Sequence, residues 1–281
     1  PLLTFQLLID GVETLATQNM DLMTHPAYRH KGIFSSLERH GLRDAASRGL
    51  LVSFAFPNAA ALPGHVKSGS LYLGRLHRAV RIFNWKNATE YFVQSRIPRT
   101  LVGHVGRLAT AGYGGISRLA RSTPRIAIQE VSSFPDEINV LTGAIARRSR
   151  VSLLRSAAYL NWRYSNPTGD RSRLIAVDAD RVAGYAVVGW RGLGSIRIGT
   201  LLDCVGGSTD VVEALLRAAI ERSESRCDIL RFEFTPPDLF MPALIRCGFI
   251  PCVGMPGARF CVYFTPEIPE CSPLQQLQNC S

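Results

Sequence analysis

Apolar and polar residues take strand-like patterns over residues 3–9 and 12–24, on either side of Gly11, which predicts two strands joined by a turn. From Ile33 the spacing lengthens to that of a helix. Phe34, Leu37, Gly41 and Ala45 fall on one face, Glu38 stands near the start, and Gly49 supplies a stop. Residues 50–56 form an apolar run that reads as a buried strand ended by Pro57 and Asn58. Residues 59–67 then lead through a helix to Gly69, and residues 71–83 read as further strand.

Residues 95–125 break this rhythm, because apolar residues alternate with Arg, and Gly103, Gly106, Gly112, Gly114 and Gly115 interrupt any helix. The segment reads as a basic, partly helical connector in preference to an amphipathic helix lying on a membrane. From Ile126 the order strand, helix, strand returns. Residues 127–131 form a strand and 136–148 a helix, and a hairpin joins 174–177 to 182–190 through Asp178, Ala179 and Asp180. A strand over 196–205, a turn at Gly206, Gly207 and Ser208, a helix over 209–224, a strand over 229–234 and a helix closing at Gly248 complete the pattern. The alternation predicts an α/β (α+β) chain whose mixed central β-sheet is flanked by helices. Its expected divisions are 1–94, a connector at 95–125, a second unit at 126–265 and a tail at 266–281.

At 281 residues the chain has room for two domains, and 46% hydrophobic content suffices for packed cores without any apolar run long enough to span a bilayer. No basic and apolar leader stands at the front, so a secretory signal is not visible. The first residue is Pro1 rather than Met, from which we expect that strands of the first unit lie outside this sequence.

The net charge of +10 is uneven: residues 45–129 hold twelve Lys and Arg against the single acid Glu90, a net +11. Such a field aids capture of a phosphorylated cofactor, and it also suits nucleic acid or anionic lipid. All seven cysteines lie at or after Cys204 and all six histidines at or before His104. That segregation, with no Cys-x-x-Cys pair, argues against a metal site, and the odd count without a leader predicts reduced, cytoplasmic thiols. Cys204, Cys227, Cys247, Cys252 and Cys261 sit in apolar surroundings and are expected in the core.

The chemistry concentrates in residues 22–37, where a strand-like run meets a helix through a short basic turn. A helix opening at about Ile33 leaves backbone N–H groups unpaired and carries partial positive charge. Arg29 and Lys31 add full charges, and Gly32 removes the side chain that would block close approach, so the turn is suited to a pyrophosphate.

Arg29, His30, Lys31, Gly32, Ile33 and Phe34 resemble the acyl-CoA pyrophosphate loop of the GNAT superfamily of N-acetyltransferases, with the bulky Phe34 standing where that family has Gly or Ala. On this resemblance Phe34 must point away from the phosphates. The preceding Thr24, His25, Pro26, Ala27 and Tyr28 then look like the end of the family's fourth strand, whose splayed backbone receives the pantetheine arm and the thioester carbonyl through N–H groups at Leu22, Met23 and Thr24, and Asn58 resembles its cofactor-contacting asparagine. Taken from the residues alone, Asn58 reads equally as a turn residue or a helix cap. The order of elements from Ile126 looks like a second GNAT unit in tandem. There Gly206, Gly207, Ser208 and Thr209 carry no Arg-x-x-Gly pattern, and Asp203 and Asp210 stand nearby, so that unit is expected to lack a cofactor site. Tyr159, Trp162, Arg163 and Tyr164 carry a further resemblance to bacterial tandem GNAT-like chains; Trp162 reads as a core anchor ahead of a ligand contact.

The resemblance implies acetyl-CoA as acyl donor, a small-molecule amine such as an amino sugar or amino acid derivative as acceptor, and no metal. Direct attack of the amine needs a held thioester, an oxyanion donor and a base. Asp21, ahead of Glu13, is the expected base. His65, four residues before Gly69, takes the slot where the family often has a tyrosine general acid. Leu244, the corresponding residue before Gly248, cannot donate a proton. Two other readings compete: a Fem-type aminoacyl-tRNA-dependent transferase, suited to the basic region, and a non-catalytic basic scaffold binding nucleic acid or acidic lipid. The loop at residues 29–34 argues against both, and no RNA-binding signature or helix-turn-helix is visible.

Overall fold

The computed structural model describes residues 2–88, 126–165, 169–235, 240–252 and 257–265; the expected connector at 95–125 and tail at 266–281 lie outside the described residues. The first half of the chain forms β1 (Leu2–Ile9), β2 (Val12–Asn19), α1 (Ile33–Ser47), β3 (Val52–Ala55), α2 (Leu62–Lys67), β4 (Leu71–Arg75) and β5 (His77–Ile82). After residue 125 come β6 (Ala127–Glu130), α3 (Ile138–Ala146), β7 (Val151–Leu153), α4 (Ala157–Tyr164), β8 (Arg171–Asp178), β9 (Arg181–Leu193) and β10 (Ile196–Gly206). The remainder forms α5 (Thr209–Ser223), β11 (Ile229–Phe234), α6 (Phe240–Arg246), β12 (Ile250–Pro251) and β13 (Arg259–Phe264).

The strands build two mixed sheets, ordered β4-β13-β3-β2-β1-β7 and β12-β5-β11-β10-β9-β8-β6. Among the described residues each has one parallel pair, β2 with β3 in the first and β10 with β11 in the second, and the other pairings are antiparallel. Each parallel pair is bridged by a fifteen-residue helix, α1 or α5. The hairpins that precede them turn on two residues with positive φ, Asp10 and Gly11 in one and Ala179 and Asp180 in the other. Turns of that hand match the strand twist.

The division by residue number into 1–94 and 126–265 does not follow the sheets. The run expected as one strand over 71–83 breaks at Leu76, whose N–H donates to Ala258 O (2.9 Å). Its second half, β5, pairs with β11 and β12, while the C-terminal β13 enters the first sheet between β3 and β4. The compact units are therefore Pro1–Leu76 with Gly143–Leu154 and Pro256–Ser281, and His77–Thr142 with Arg155–Met255. Apolar patterning identifies a strand but not its partner, since pairing is non-local.

In the first unit Leu7, Ile9, Ala16, Val52 and Val262 form the core on one face of the sheet. The residues of alternate parity, Thr17 and Asn19 on β2 and Ser53 on β3, lie on the opposite face. The second unit has the larger core, in which Val211, Val212, Leu215, Leu216 and Ala219 of α5 pack against Ala186, Val188, Leu201, Leu230 and Phe232. Burying one such Val, Leu or Phe side chain contributes about 1.5–3 kcal/mol before entropy is counted. Phe134, Ile138, Leu160, Tyr164, Tyr185 and Val187 form a second cluster there. Four of the five cysteines described, Cys204, Cys227, Cys247 and Cys261, are buried, Cys252 is half-buried, and all five are free.

Candidate functional site

The ladder between β2 and β3 runs from Ala16 opposite Val52 to Asn19 opposite Ala55, and there it stops. Beyond it the two chains part toward α1 and α2. A gap at the C-terminal ends of parallel strands is where open α/β sheets take ligands. Leu22, Met23 and Thr24, expected within the strand, lie past its end; Leu22 and Thr24 are half-buried and Met23 is 92% exposed.

Residues Pro26–Tyr28 make a 3-10 turn whose start is capped by His25, Nδ1 accepting from Ala27 N–H (3.3 Å). Arg29 leaves it in extended conformation, its Nε donating to Thr24 O (3.3 Å). His30 and Gly32 then take left-handed φ angles of 63° and 76°. At His30, a non-glycine residue, that conformation costs on the order of 1 kcal/mol and is typical of functional loops. Gly32 is the N-cap of α1; among the described residues it has no side-chain cap and no acid in the first turn, and Ser36 N–H bonds back to Gly32 O (3.0 Å). A Cβ placed there would meet nothing within 4 Å, so φ rather than crowding is what calls for glycine. Arg29, His30, Lys31, Gly32 and Ile33 are all exposed, with Lys31 Nζ 5.1 Å from the centre of the Tyr28 ring. The loop thus presents an open helix start flanked by cations.

Phe34 turns away from this opening. Its ring lies over Gly64 of α2 and edge-on to His65, with centroids 5.3 Å apart. Asn58 caps the start of the segment leading into α2, Oδ1 accepting from Ala60 N–H (3.0 Å) and Ala61 N–H (2.9 Å). Its carbonyl oxygen is engaged locally, and the amide –NH2 is the part of Asn58 suited to a ligand.

The two expected bases are placed otherwise than the base role assumed. Asp21 is exposed in the loop beyond β2, with φ 51°, rather than enclosed in an apolar cleft on a strand. Glu13 is exposed at the hairpin end of β2, opposite Leu8 and about 20 Å of strand from Asn19 at a rise near 3.3 Å per residue.

A carboxylate that the sequence reading used only as a helix-start marker is instead buried beside His65. Glu38 Oε1 meets His65 Nδ1 and accepts from Asn19 Nδ2 (3.4 Å), while Asn19 Oδ1 accepts from Ser53 Oγ (3.2 Å). His65 is 4% and Glu38 3% exposed. Among the described residues Glu38 Oε2, Thr17 Oγ1 and His65 Nδ1 are buried without a hydrogen bond of regular geometry, so Glu38 and His65 meet as a close approach of the two side chains. The negative charge of Glu38 reaches Cys261, whose thiol is pushed up by burial first and by that carboxylate second. The buried residues of α1 are Glu38, Leu42 and Ala45, so the expected face is rotated and Leu37 is 54% exposed. The sequence signal was available: Glu38 lies four residues before Leu42 on the same stripe.

The corresponding start of α5 in the second unit is closed. Ser208 is its N-cap, Oγ accepting from Val211 N–H (3.4 Å), and Asp210 stands in the first turn. A bulge in β10 between Leu201 and Asp203 brings Asp203 to Tyr185 OH (2.8 Å), Tyr164 OH (3.4 Å) and Arg155 Nε (3.2 Å). Burial, then the Asp203 charge, pushes the Tyr185 phenol well up, so it donates as a neutral hydroxyl. Trp162, expected as a core anchor, is 56% exposed on α4. Among the described residues no helix is long and apolar enough to cross a membrane, and no group of three His, Cys, Asp or Glu could hold a metal ion.

Residues 1–65 match the family model described as acetyltransferase (GNAT) domain. No curated protein matches the chain. Among solved structures, a GCN5-related N-acetyltransferase from Anabaena variabilis matches with TM-score 0.60 at 13% identity, over 93% of this chain and 58% of its own. A probable N-acyltransferase from Enterococcus faecalis matches with TM-score 0.59 at 14% identity, over 94% and 58%. The Saccharomyces cerevisiae N-myristoyltransferase with bound myristoyl-CoA matches with TM-score 0.61 at 13% identity, over 94% and 62%. The chain therefore spans less than two thirds of these structures' length, and at such identities the likeness is one of fold.

Proposed function

We propose that the chain is an acyl-CoA-dependent N-acyltransferase whose donor binds in the first unit, a reading supported by the match of residues 1–65 to the acetyltransferase (GNAT) domain model and by the likeness in fold to the N-acetyltransferase and N-myristoyltransferase structures. The observation that carries this reading is the uncapped, acid-free start of α1 beside the exposed Arg29 and Lys31, at the point where β2 and β3 part. Backbone N–H groups and helix polarity there suit a pyrophosphate. The pantetheine arm then lies along Leu22, Met23 and Thr24, whose N–H groups, beyond the last ladder pair, also face the thioester oxygen, and the Asn58 amide steadies the arm.

The amine nitrogen attacks the thioester carbon, the C–S bond breaks, and an amide and free CoA leave. Positioning supplies most of the rate. Asp21, exposed in the loop beyond β2, takes the amine proton and passes it to solvent, and His65 protonates the thiolate. We take acetyl-CoA as the donor and a small amine, an amino sugar or amino acid derivative, as the acceptor, in the reducing cytoplasm that suits the five free thiols among the described residues. Ser208 and Asp210 at the start of α5 support a single donor site per chain.

Calorimetric titration of acetyl-CoA into the wild type and into an Arg29→Glu, Gly32→Trp double variant tests this. Binding in about the micromolar range, abolished by the double change, is expected. No binding to the folded wild type overturns the reading.

A further inference from the structure

Burying a carboxylate on the sheet-facing stripe of a helix, where a leucine would serve, is costly unless the charge has a partner and a task. Glu38 has the partner: it faces His65 across α1 and α2. We propose that Glu38 is a positioning residue for His65, holding the imidazole with Nδ1–H toward Glu38 so that Nε2–H is the proton returned to the departing CoA thiolate. This rests on the acyltransferase reading above.

Three features of the surroundings support it. The carboxylate is itself oriented, because Ser53 donates to Asn19 and Asn19 donates to Glu38, a chain running from β3 through β2 to α1. The ring cannot easily swing, because Phe34 closes its edge and Gly64 gives Phe34 the room to do so. Finally, Asn19 is the last paired residue of β2, so the Glu38 contact reaches the floor of the gap between the strands. Glu38 stands six residues along α1 from Gly32, about 9 Å at 1.5 Å per residue, so one rigid element carries both the phosphate anchor and the carboxylate.

In the step itself the amine attacks the carbonyl carbon and the C–S pair passes to sulfur. The sulfur takes the Nε2 proton of the imidazolium, and the ring, now neutral, keeps Nδ1–H on Glu38. The surplus amine proton goes to solvent, from which the ring is recharged, and no other reactant is consumed. Orientation of a histidine by a carboxylate on its far nitrogen also fixes which nitrogen is left to act.

The test measures release of CoA thiol from acetyl-CoA, with glucosamine and glycine offered as amines, for the wild type and for Glu38→Gln, Glu38→Asp and His65→Gln. Thermal melts establish that each is folded. Glu38→Gln and His65→Gln are each expected to lower kcat about 100-fold. KM for acetyl-CoA should stay within about twofold, and Glu38→Asp should recover part of kcat. Nitrogen-15 spectra of labelled histidine should show Nδ1 protonated in the wild type and in Glu38→Asp, and that resonance lost in Glu38→Gln. Unchanged kcat in folded Glu38→Gln, or a loss confined to KM, overturns the dyad while leaving the acyltransferase reading intact. Failure of the wild type to bind acetyl-CoA removes both. If bound acetyl-CoA releases no thiol, the ring nitrogens decide, and a wild-type His65 without Nδ1–H overturns the proposal.

Discussion

Phe34 lies so close over Gly64 that a methyl group added at Gly64 would stand 2.5 Å from Phe34 Cε1. The contact joins the first turn of α1 to α2, and it explains how a bulky residue is accommodated in the phosphate loop. Gly64→Ala gains about 1 kcal/mol of helix propensity. It also forces an overpacked ring to move, at about 1–3 kcal/mol. A net loss of up to about 2 kcal/mol is expected, seen as a lower Tm, with weaker acetyl-CoA binding because Phe34 belongs to the loop. In a double-variant cycle Phe34→Ala should relieve the Gly64→Ala penalty, and additive losses would refute the contact.

Local features of this site were legible in the sequence, and non-local ones were not. Gly32, the basic turn and the helix from Ile33 follow from residue types within one turn of each other, and all three stand in the structure where the pattern placed them. The turn at Ala179 and Asp180 was legible for the same reason. By contrast, Glu38 reads as a solvated acid until Asn19 and His65, separated from it by nineteen and twenty-seven residues in sequence, are brought to it. The face of α1 was placed one position off because the apolar Leu37 drew the stripe toward itself, whereas the sheet beneath presents Thr17, Asn19 and Ser53, which favour Glu38. The exchange of β5 and β13 between sheets was beyond patterning altogether, since both strands look alike from their own residues.

The two parallel-strand helices differ at their first turn, and Ser208→Ala isolates that difference. Removing the cap from Val211 N–H should cost α5 about 0.5–1 kcal/mol, the lower part of the usual range, since the bond is long at 3.4 Å. Acetyl-CoA titration should be unaffected. A loss of binding in this variant would move the donor site to the second unit.

Acid sensitivity of the second unit has an identifiable contributor in Glu130 of β6. Burial raises its pKa, but hydrogen bonds from Ser172 and Arg222 outweigh that, and the carboxyl is held below its ordinary 4.5. A depressed folded value means that Glu130 stabilises the fold above the ordinary pKa and loses this contribution as pH falls through the lowered one. Glu130→Gln should therefore be less stable than the wild type at neutral pH and approach it below about pH 4. Denaturant melts across that range check this, and a constant gap between the two proteins would exclude the assignment.

Asp203 gathers Tyr185, Tyr164 and Arg155 onto one carboxylate oxygen, and the β10 bulge at Leu201 and Asp203 is what aims it there. Ordinary alternation would have put Leu202 on that side of the sheet; the extra residue leaves Leu202 42% exposed and turns the acid in among the tyrosines. Asp203→Ala removes the acceptor that Tyr185, Tyr164 and Arg155 share, and breaking such a pair costs about 3 kcal/mol at the low end, the appropriate end because the Arg155 side chain is 29% exposed. Tyr185→Phe removes the shortest of the three bonds, one to a charged acceptor, at about 1.5–3 kcal/mol. Tyr164→Phe, whose bond is 3.4 Å, should cost less than Tyr185→Phe. Urea melts should rank the losses Asp203→Ala, Tyr185→Phe, Tyr164→Phe, with acetyl-CoA binding retained in all three. A stable, folded Asp203→Ala would mean that the cluster is not what holds this part of the second unit together.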